Sequence, residues 1–399
     1  MQDNEKKPAL RFKGFTDPWE QRKLGELCTI SKGHGYSKAD IRDAGTPLIL
    51  YGRLYTQYES RIENVNTFAV EQEGSLLSKG NEVIVPASGE TAEDIAVASS
   101  VRSSGIIFGG DLNVVTPVSK LDPDYIALAI TYSKAHDDLA KRAQGKSVVH
   151  VHGNDIAEVE IPYPSESEQK RISTVVLGLD TLITLHQRKY DKLCTVKKSM
   201  LDKMFPKPGE TEPEIRFEGF TDPWEQRKFS DLTDRVSIQS NDPNLPQVEY
   251  EDIISGEGAL NKDLNDKEGG KTGIKFYVGD VLYGKLRPYL MNWLYPQFNG
   301  VAVGDFWVLR ATECDSSFLY RLVQTDGFQR LANVSSGSKM PRADWNLISQ
   351  SFFAVPSNHA EQKAIAKSLA ELDSLITLHQ RKLELLRNIK KSLLDRMFV

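Results

Sequence analysis

Apolar residues recur at alternating steps of four and three along two long stretches of the chain, residues 168–205 and 361–398. This spacing lines up one apolar stripe on an α-helix and is typical of coiled-coil pairing. The stretches have the same length and align without a gap, so the sequence predicts that they pair with each other. The stripes contain Ile172, Val176, Leu179, Ile183, His186 and Leu193 in the first helix, and Ile365, Leu369, Leu372, Ile376, His379, Leu383 and Leu386 in the second.

Polar residues interrupt both stripes at matching places. His186 and His379 are predicted to fix the register of the pair or to dock a partner, because a polar residue in an apolar stripe commonly does so. A metal ligand or a pH-sensitive switch is the alternative for each histidine. Lys197 and Lys390 are predicted to extend their ammonium groups into solvent while their apolar stems stay covered.

Each stripe is preceded by a helix-start signal. Ser165-x-x-Glu168 fits a capping box, in which the hydroxyl and the carboxylate satisfy each other's backbone amides. Asn358 and Glu361 stand at the equivalent place in the second stretch. Glu168 also begins the E-x-K spacing found in nuclease sites. The second copy lacks the upstream Pro-Asp that such a site would need, so capping is the favoured interpretation.

A short motif is also duplicated. Residues 11–23 recur as residues 216–228 with one change, so the chain is a tandem repeat of motif, variable block and long helix. The aromatic residues of the motif, Trp19 and Trp224 among them, are expected to fill a fixed place on the scaffold rather than to bind a ligand.

The two variable blocks, 24–164 and 229–357, have almost no sequence in common. Runs rich in β-branched and aromatic residues, broken by Gly, Pro and Ser, predict short strands. They predict an α+β class for each block. The predicted strands are 48–56, 81–89, 95–99, 105–110, 112–118 and 159–164, then 275–278, 280–283, 289–295 and 306–309, and the predicted helices are 124–143 and 317–333.

Composition adds few constraints. The chain has 399 residues, 40% of them hydrophobic and 26% charged, which suits two or three soluble domains. No signal-peptide core and no membrane-length apolar run are found, and the three cysteines are widely spaced, so we expect a cytoplasmic protein. The net charge of −5 does not exclude DNA binding, which needs only local basic patches.

Several of these motifs together resemble the specificity (S) subunit of type I restriction–modification systems. The resemblance covers essentially the whole chain and depends on the doubled GFTDPWEQRK, EQK and LITLHQRK and on the run Gly279–Tyr289. It implies two target-recognition domains, of mixed α/β structure, separated by an antiparallel pair of long helices. Each domain would read one half of a bipartite site in double-stranded DNA.

The resemblance also implies partners and a domain organisation. Modification (methyltransferase) subunits, expected to number two, would dock on the helices, and restriction/translocase subunits would join through them. S-adenosylmethionine, Mg²⁺ and ATP are expected on those partners, with no cofactor and no metal on this chain. The predicted organisation is a polar tail (1–10), a first target-recognition domain (11–164), a first helix (165–205), a linker (206–215), a second target-recognition domain (216–357) and a second helix (358–399).

The length of the helices gives a geometric expectation. A helix of roughly 38 residues spans roughly 57 Å, which is between one and two turns of B-DNA. Antiparallel packing of tandem units would place the two domains at opposite ends of this rod with pseudo-two-fold symmetry. They would then read two half-sites separated by a gap that the rod sets.

Candidate DNA contacts lie on predicted loops of both variable blocks. Arg and Lys suit guanine, polar side chains suit other base edges, and glycines allow backbone to approach phosphate. The candidates are Arg53, Gly145, Lys146, Ser147, His150 and His152 in the first block, and Lys285, Arg287, Gly337, Lys339 and Arg342 in the second.

Motifs of other function classes are absent from the sequence. No phosphate-binding loop, dinucleotide-binding turn or amino-methyltransferase motif is present in the sequence, so we expect a subunit without catalytic residues. A coiled-coil adaptor with two protein-binding domains is the alternative from another class. A specificity subunit of a methylation-only system is the other alternative.

Overall fold

The architecture is given by a computed structural model that describes residues 7–118, 120–264, 269–334 and 340–398. The chain separates into two compact units, Met1–Gln187 together with Arg381–Val399, and Arg188–Gln380. Each unit therefore combines one variable domain with part of each long helix.

The strands of the first unit are β1 (Glu20–Lys23), β2 (Cys28–Lys32), β3 (Thr46–Ile49), β4 (Arg61–Ile62), β5 (Phe68–Ala69), β6 (Leu77–Lys79), β7 (Glu82–Pro86), β8 (Ser88–Gly89), β9 (Ser99–Val101), β10 (Ser104–Phe108), β11 (Leu112–Pro117), β12 (Val149–His150) and β13 (Glu160–Tyr163). The helices are α1 (Leu24–Leu27), α2 (Arg53–Thr56), α3 (Ala92–Ile95), α4 (Pro123–Tyr132), α5 (Lys134–Arg142), α6 (Gly153–Ala157) and the long α7 (Glu166–Lys203), with a 3₁₀ turn at Lys38–Asp40.

The central sheet of the first unit has the order β2-β11-β7-β9-β4. Adjacent strands in this sheet are antiparallel, except that β4 and β9 are parallel. A second sheet has the order β5-β3-β10-β6. The helix α4 is buried along most of its length in the same core as β7 and β11, because its apolar residues recur on every side.

The strands of the second unit are β14 (Glu225–Lys228), β15 (Thr233–Val236), β16 (Gln239–Ser240), β17 (Gln247–Val248), β18 (Ile253–Ile254), β19 (Ala259–Leu260), β20 (Gly273–Phe276), β21 (Val281–Gly284), β22 (Trp293–Leu294), β23 (Gly300–Ala302), β24 (Phe306–Ala311) and β25 (Phe352–Val355). The helices are α8 (Phe229–Leu232), α9 (Ser316–Leu322), α10 (Asp326–Ala332), α11 (Trp345–Gln350) and the long α12 (His359–Met397), with 3₁₀ turns at Tyr250–Asp252 and Pro288–Leu290.

The second unit repeats part of the topology of the first although the sequences differ, because β15-β24-β21-β22 corresponds to β2-β11-β7-β9. Its sheets have the orders β15-β24-β21-β22 and β16-β20-β23-β17. The duplicated motif also forms the same pairing twice: β1 is antiparallel to β13, and β14 is antiparallel to β25. The predicted α+β class, with two variable domains and two long helices, is confirmed.

Some predicted elements are interrupted. The predicted helix 124–143 breaks at Ser133, whose hydroxyl donates to the Ala129 carbonyl at 2.6 Å and accepts from the Ala135 amide at 3.1 Å. The predicted helix 317–333 likewise breaks before α10, where Thr325 is the N-cap. Such side-chain bonds compete with the helical ladder and begin a new helix instead.

Three predicted strands are shorter than their apolar runs. Residues 48–56 end as a strand at Ile49 and continue into α2, and residues 95–99 lie between α3 and β9. Residues 289–295 are extended only at Trp293–Leu294. Short apolar runs do not distinguish a strand from a helix turn or a loop, which explains these errors.

The predicted apolar stripes pack inside each unit. In the first unit, Ile172 and Val176 of α7 share a core with Leu394 and Met397 of α12. In the second unit, Met204, which directly follows α7, shares a core with residues of α12 that include Ile365 and Leu369. Because the start of one helix meets the end of the other in each case, the pairing is antiparallel. Full burial of each such side chain contributes about 1.5–3 kcal/mol.

Candidate nucleic-acid interface

A buried carboxylate joins the short motif to the start of each long helix. Glu168 accepts hydrogen bonds from Arg11 Nε and Nη2 at 2.8 and 2.7 Å and from Trp19 Nε1 at 3.0 Å. The Glu168 side chain is 2% exposed. Its hydrogen bond raises the pKa of the Arg11 guanidinium.

The second copy repeats this contact. Glu361 accepts from Arg216 Nε at 2.7 Å, from Arg216 Nη2 at 2.9 Å and from Trp224 Nε1 at 3.2 Å. The predicted capping role of the two glutamates is therefore wrong, because both carboxylates bind the motif instead. Asn358 does cap α12 by accepting from the Ala360 amide at 2.8 Å.

The glutamine that follows each glutamate holds the variable domain through backbone atoms. Gln169 accepts from the Asp122 amide at 2.9 Å and donates to the Pro164 carbonyl at 2.8 Å. Gln362 accepts from the Asp315 amide at 2.6 Å and donates to the Pro356 carbonyl at 2.7 Å. The duplicated EQK is thus an anchor for the domain, and its function was not apparent from the sequence.

The stripe lysines form ion pairs rather than reaching into solvent. In the second unit, Lys197 Nζ of α7 lies 2.6 Å from Asp373 of α12. In the first unit, Lys390 Nζ of α12 lies 2.5 Å from Asp180 of α7 and over the Tyr132 ring. The prediction of solvated lysines is wrong because an aspartate on the facing helix lies within reach of each ammonium group.

The stripe histidines have different exposure. His379 is buried, whereas His186 is half-buried. Among the described residues, no group of three or more His, Cys, Asp or Glu side chains could hold a metal ion. Nor does any described helix have the length and apolarity needed to cross a membrane.

The first set of DNA-contact candidates gathers on one hairpin. Gln144 and His150 exchange backbone hydrogen bonds of 3.0 and 2.8 Å, and the residues between them include Lys146 and Ser147, both exposed. Gly145 has φ +138°, and a Cβ there would lie 1.9 Å from the Val148 carbonyl oxygen, so the turn needs glycine. His152 is exposed just after the hairpin.

Two residues of this set have protein partners. His150 Nδ1 lies 3.0 Å from Ser88 Oγ, which fixes the ring beside β8. Arg53 Nη2 pairs with Glu59 at 2.6 Å and also donates to the Asn64 carbonyl, and its side chain is 9% exposed. This placement leaves Arg53 less able to reach a base edge than the sequence suggested.

The second set of candidates meets around Asp305. Arg342 Nη2 and Lys285 Nζ lie 3.0 and 3.6 Å from its carboxylate. Arg287 is exposed, and its amide donates to the Pro341 carbonyl at 2.7 Å. Of the other two candidates, Gly337 and Lys339, both lie outside the described residues.

The sequence does not predict the loop between Arg287 and Met291 as a separate feature. Arg287 and Met291 have φ values of +48° and +53°, a conformation that costs a non-glycine residue about 1–3 kcal/mol. Tyr289, Leu290 and Met291 are 54%, 36% and 41% exposed. The apolar run hid the loop, because its residue types favour a strand.

Comparison with known proteins agrees with this architecture. Residues 16–194 match the family model described as the type I restriction modification DNA specificity domain. The EcoDI specificity subunit of Escherichia coli is 21% identical to this chain over 95% of it and 88% of the relative. Residues 16–194 belong to this DNA specificity domain family, and the chain as a whole is similar to specificity subunits of type I restriction–modification systems.

Two further comparisons cover the chain over nearly its full length. The MjaVIII specificity subunit of Methanocaldococcus jannaschii is 20% identical over 95% of this chain and 92% of the relative. The crystal structure of the type I S subunit from M. genitalium has 14% identity, a TM-score of 0.59 and coverage of 98% and 99% of the two chains, which supports the fold. The predicted resemblance and the predicted function, DNA target recognition in a type I system, are confirmed.

Proposed function

We propose that each variable domain of this specificity subunit reads one half of a bipartite DNA target, and that the paired helices set the gap between the halves. The observation that carries the proposal is that both domains have the same anchors and share the order of four central strands but have different exposed side chains. A shared framework with two different surfaces suits two half-sites of different sequence.

The chemistry of the two surfaces suits base-edge and phosphate contacts. The first domain offers Lys146, Ser147 and the two histidines on and beside its hairpin, and the second offers Arg287 and Arg342. Arginine and lysine bind guanine O6 and N7, while the hairpin backbone at Gly145 can approach phosphate.

The helices are proposed to dock two modification subunits. The repeated LITLHQRK leaves Leu182 and Leu185 of α7 45% and 55% exposed, and Leu375 and Leu378 of α12 42% and 46% exposed. Two copies of one apolar pair suit two copies of one partner. S-adenosylmethionine, Mg²⁺ and ATP would be bound by the modification subunits and by restriction/translocase subunits that join them in the cytoplasm.

Native mass spectrometry of the complex tests the docking. Replacing Leu182 and Leu185 by Ser should leave one modification subunit bound, and the same change at Leu375 and Leu378 should release the other. The matched control replaces Thr184 by Ser on the same helix. Two subunits retained in both leucine variants would contradict the assignment of these pairs to docking.

Methylome sequencing tests the recognition. Cells expressing this chain with its modification partner should carry a bipartite methylated motif with a fixed gap. Exchanging residues 24–164 for the block of another specificity subunit should change one half of the motif and leave the other intact. A continuous motif, or a change in both halves, would contradict the assignment of one half-site to each domain. Sequence-independent, weak DNA binding would instead favour the protein-binding adaptor.

A further inference from the structure

The loop Arg287–Met291 projects apolar side chains from a rigid base. Pro288 is buried, and the Leu290 amide donates to the Arg287 carbonyl at 2.8 Å. The Arg287 amide is held by Pro341, and the Met291 carbonyl accepts from the Gly256 amide at 3.0 Å. Both ends of the turn are therefore fixed to other parts of the domain.

Two observations show that the apolar tip is costly to maintain. Arg287 and Met291 are the non-glycine residues with positive φ in the part of the chain that the structure describes. The turn between them exposes 54% of Tyr289 and 36% of Leu290 to water. Strained backbone and exposed apolar surface persist together where a ligand uses them.

The surroundings of the tip favour nucleic acid as that ligand. Arg287 itself is exposed, and the segment that binds its amide continues into Arg342, whose guanidinium lies 3.0 Å from Asp305. Lys285 lies on the other side of the same carboxylate. An apolar tip in a segment with cationic side chains suits a base step flanked by phosphates.

We propose that Tyr289 and Leu290 form a wedge that inserts into a base step of the half-site bound by the second domain. The Tyr289 ring would stack on a base while Leu290 separates it from its neighbour, which opens the step. This inference rests on the proposed function, since it requires that the second domain bind DNA.

The first domain has no such tip at the corresponding place. The segment that follows β8 there carries exposed Glu90, and α3 carries exposed Glu93 and Asp94, so carboxylates stand in place of an apolar tip. The wedge should therefore distort one half-site of the target and leave the other stacked.

The test uses the complex of the full chain with its modification subunits and duplexes that carry its methylated motif. Each duplex has 2-aminopurine at one position of either half-site, because the fluorescence of this base rises when it is unstacked. The variant is Tyr289→Ala with Leu290→Ala. The matched control is Ile238→Ala with Val278→Ala, two residues of the same domain that are 55% and 56% exposed.

The wild-type complex should show a rise in fluorescence at one base step of the second half-site, which is the wedge signal. A separate rise is expected at the adenine that the methyltransferase extrudes. The variant should lose the wedge signal, keep the rise at the extruded adenine, and bind the DNA about tenfold more weakly. A mismatch at that step should restore its affinity, since the DNA is then already unstacked. The control variant should match the wild type.

Three results would overturn the wedge. The first is that the wild type binds the DNA in a salt-dependent, sequence-specific way but shows a fluorescence rise only at the extruded adenine. That result would leave the proposed function standing. The second is release of a modification subunit from the variant, which would assign the tip to a protein contact. The third is the absence of sequence-specific binding by the wild type, which would reject the proposed function as well.

Discussion

The buried carboxylate that holds the short motif gives the sharpest prediction on stability. Replacing Glu168 by Gln keeps one carbonyl acceptor but removes the charge that Arg11 contacts twice and that Trp19 contacts once. The new amide nitrogen would also face donors. Breaking a buried ion pair by removing one partner costs about 3–5 kcal/mol. Because the Arg11 side chain keeps 12% exposure and can recover some hydration, we expect the lower end, about 3 kcal/mol.

This cost should be visible as a shift in the midpoint of thermal unfolding. For a unit of this size, 1 kcal/mol corresponds to about 2–4 °C, so Glu168→Gln should lower Tm by about 6–12 °C. The measurement is thermal unfolding of the full-length chain, followed by tryptophan fluorescence. Glu361→Gln should give a similar shift, because the second cluster has the same three hydrogen bonds.

The control lies two residues earlier on the same helix. Glu166 pairs with Lys170 at 2.7 Å, the same separation as in the buried pair, but its side chain is 40% exposed. Glu166→Gln should leave Tm unchanged, because exposed pairs contribute little. Equal shifts for Glu166→Gln and Glu168→Gln would refute the argument from burial. Adding Arg11→Met to Glu168→Gln should recover part of the loss, since no guanidinium is then left unpaired.

Two further predictions concern the helices and the thiols. Lys390 and Asp180 are 16% and 28% exposed, and reversing the charge of either one should destabilise the first unit by about 1–2 kcal/mol. Exchanging both residues should restore most of the lost stability in a double-mutant cycle. Additive single effects would mean that the pair does not couple the helices. Burial raises the pKa of the Cys28 and Cys314 thiols to about 12, so at about pH 8 their thiolate fraction is very small. Iodoacetamide should therefore modify half-buried Cys194 in the native chain and reach the other two only after unfolding, as read by peptide mass spectrometry.

Periodic patterns and duplicated motifs predicted the framework well. The apolar stripes were recognised because a long helix repeats its spacing many times, so Ile172 and Val176 could be assigned to the pairing face. The repeat of the short motif likewise indicated a structural place for Trp19, which is buried.

Contacts between residues that are distant in the sequence could not be predicted. The capping-box pattern at Glu168 is a local signal, whereas its observed partners lie about 150 positions earlier in the chain. The sequence predicts a solvated Lys390 because the pattern of one helix does not reveal the aspartate on the facing helix. The positive φ of Arg287 has no signature in residue type, since glycine is the residue expected there.

The anchors formed by Gln169 and Gln362 have an evolutionary consequence. Each glutamine grips its domain through a main-chain amide and a main-chain carbonyl, groups that every residue except proline supplies in full. Mutations that alter surface side chains therefore leave these attachments untouched. Natural selection can therefore change the base preference of one domain while its attachment to the helices stays the same. Recombination within the repeated segments can likewise replace a whole domain without changing that attachment.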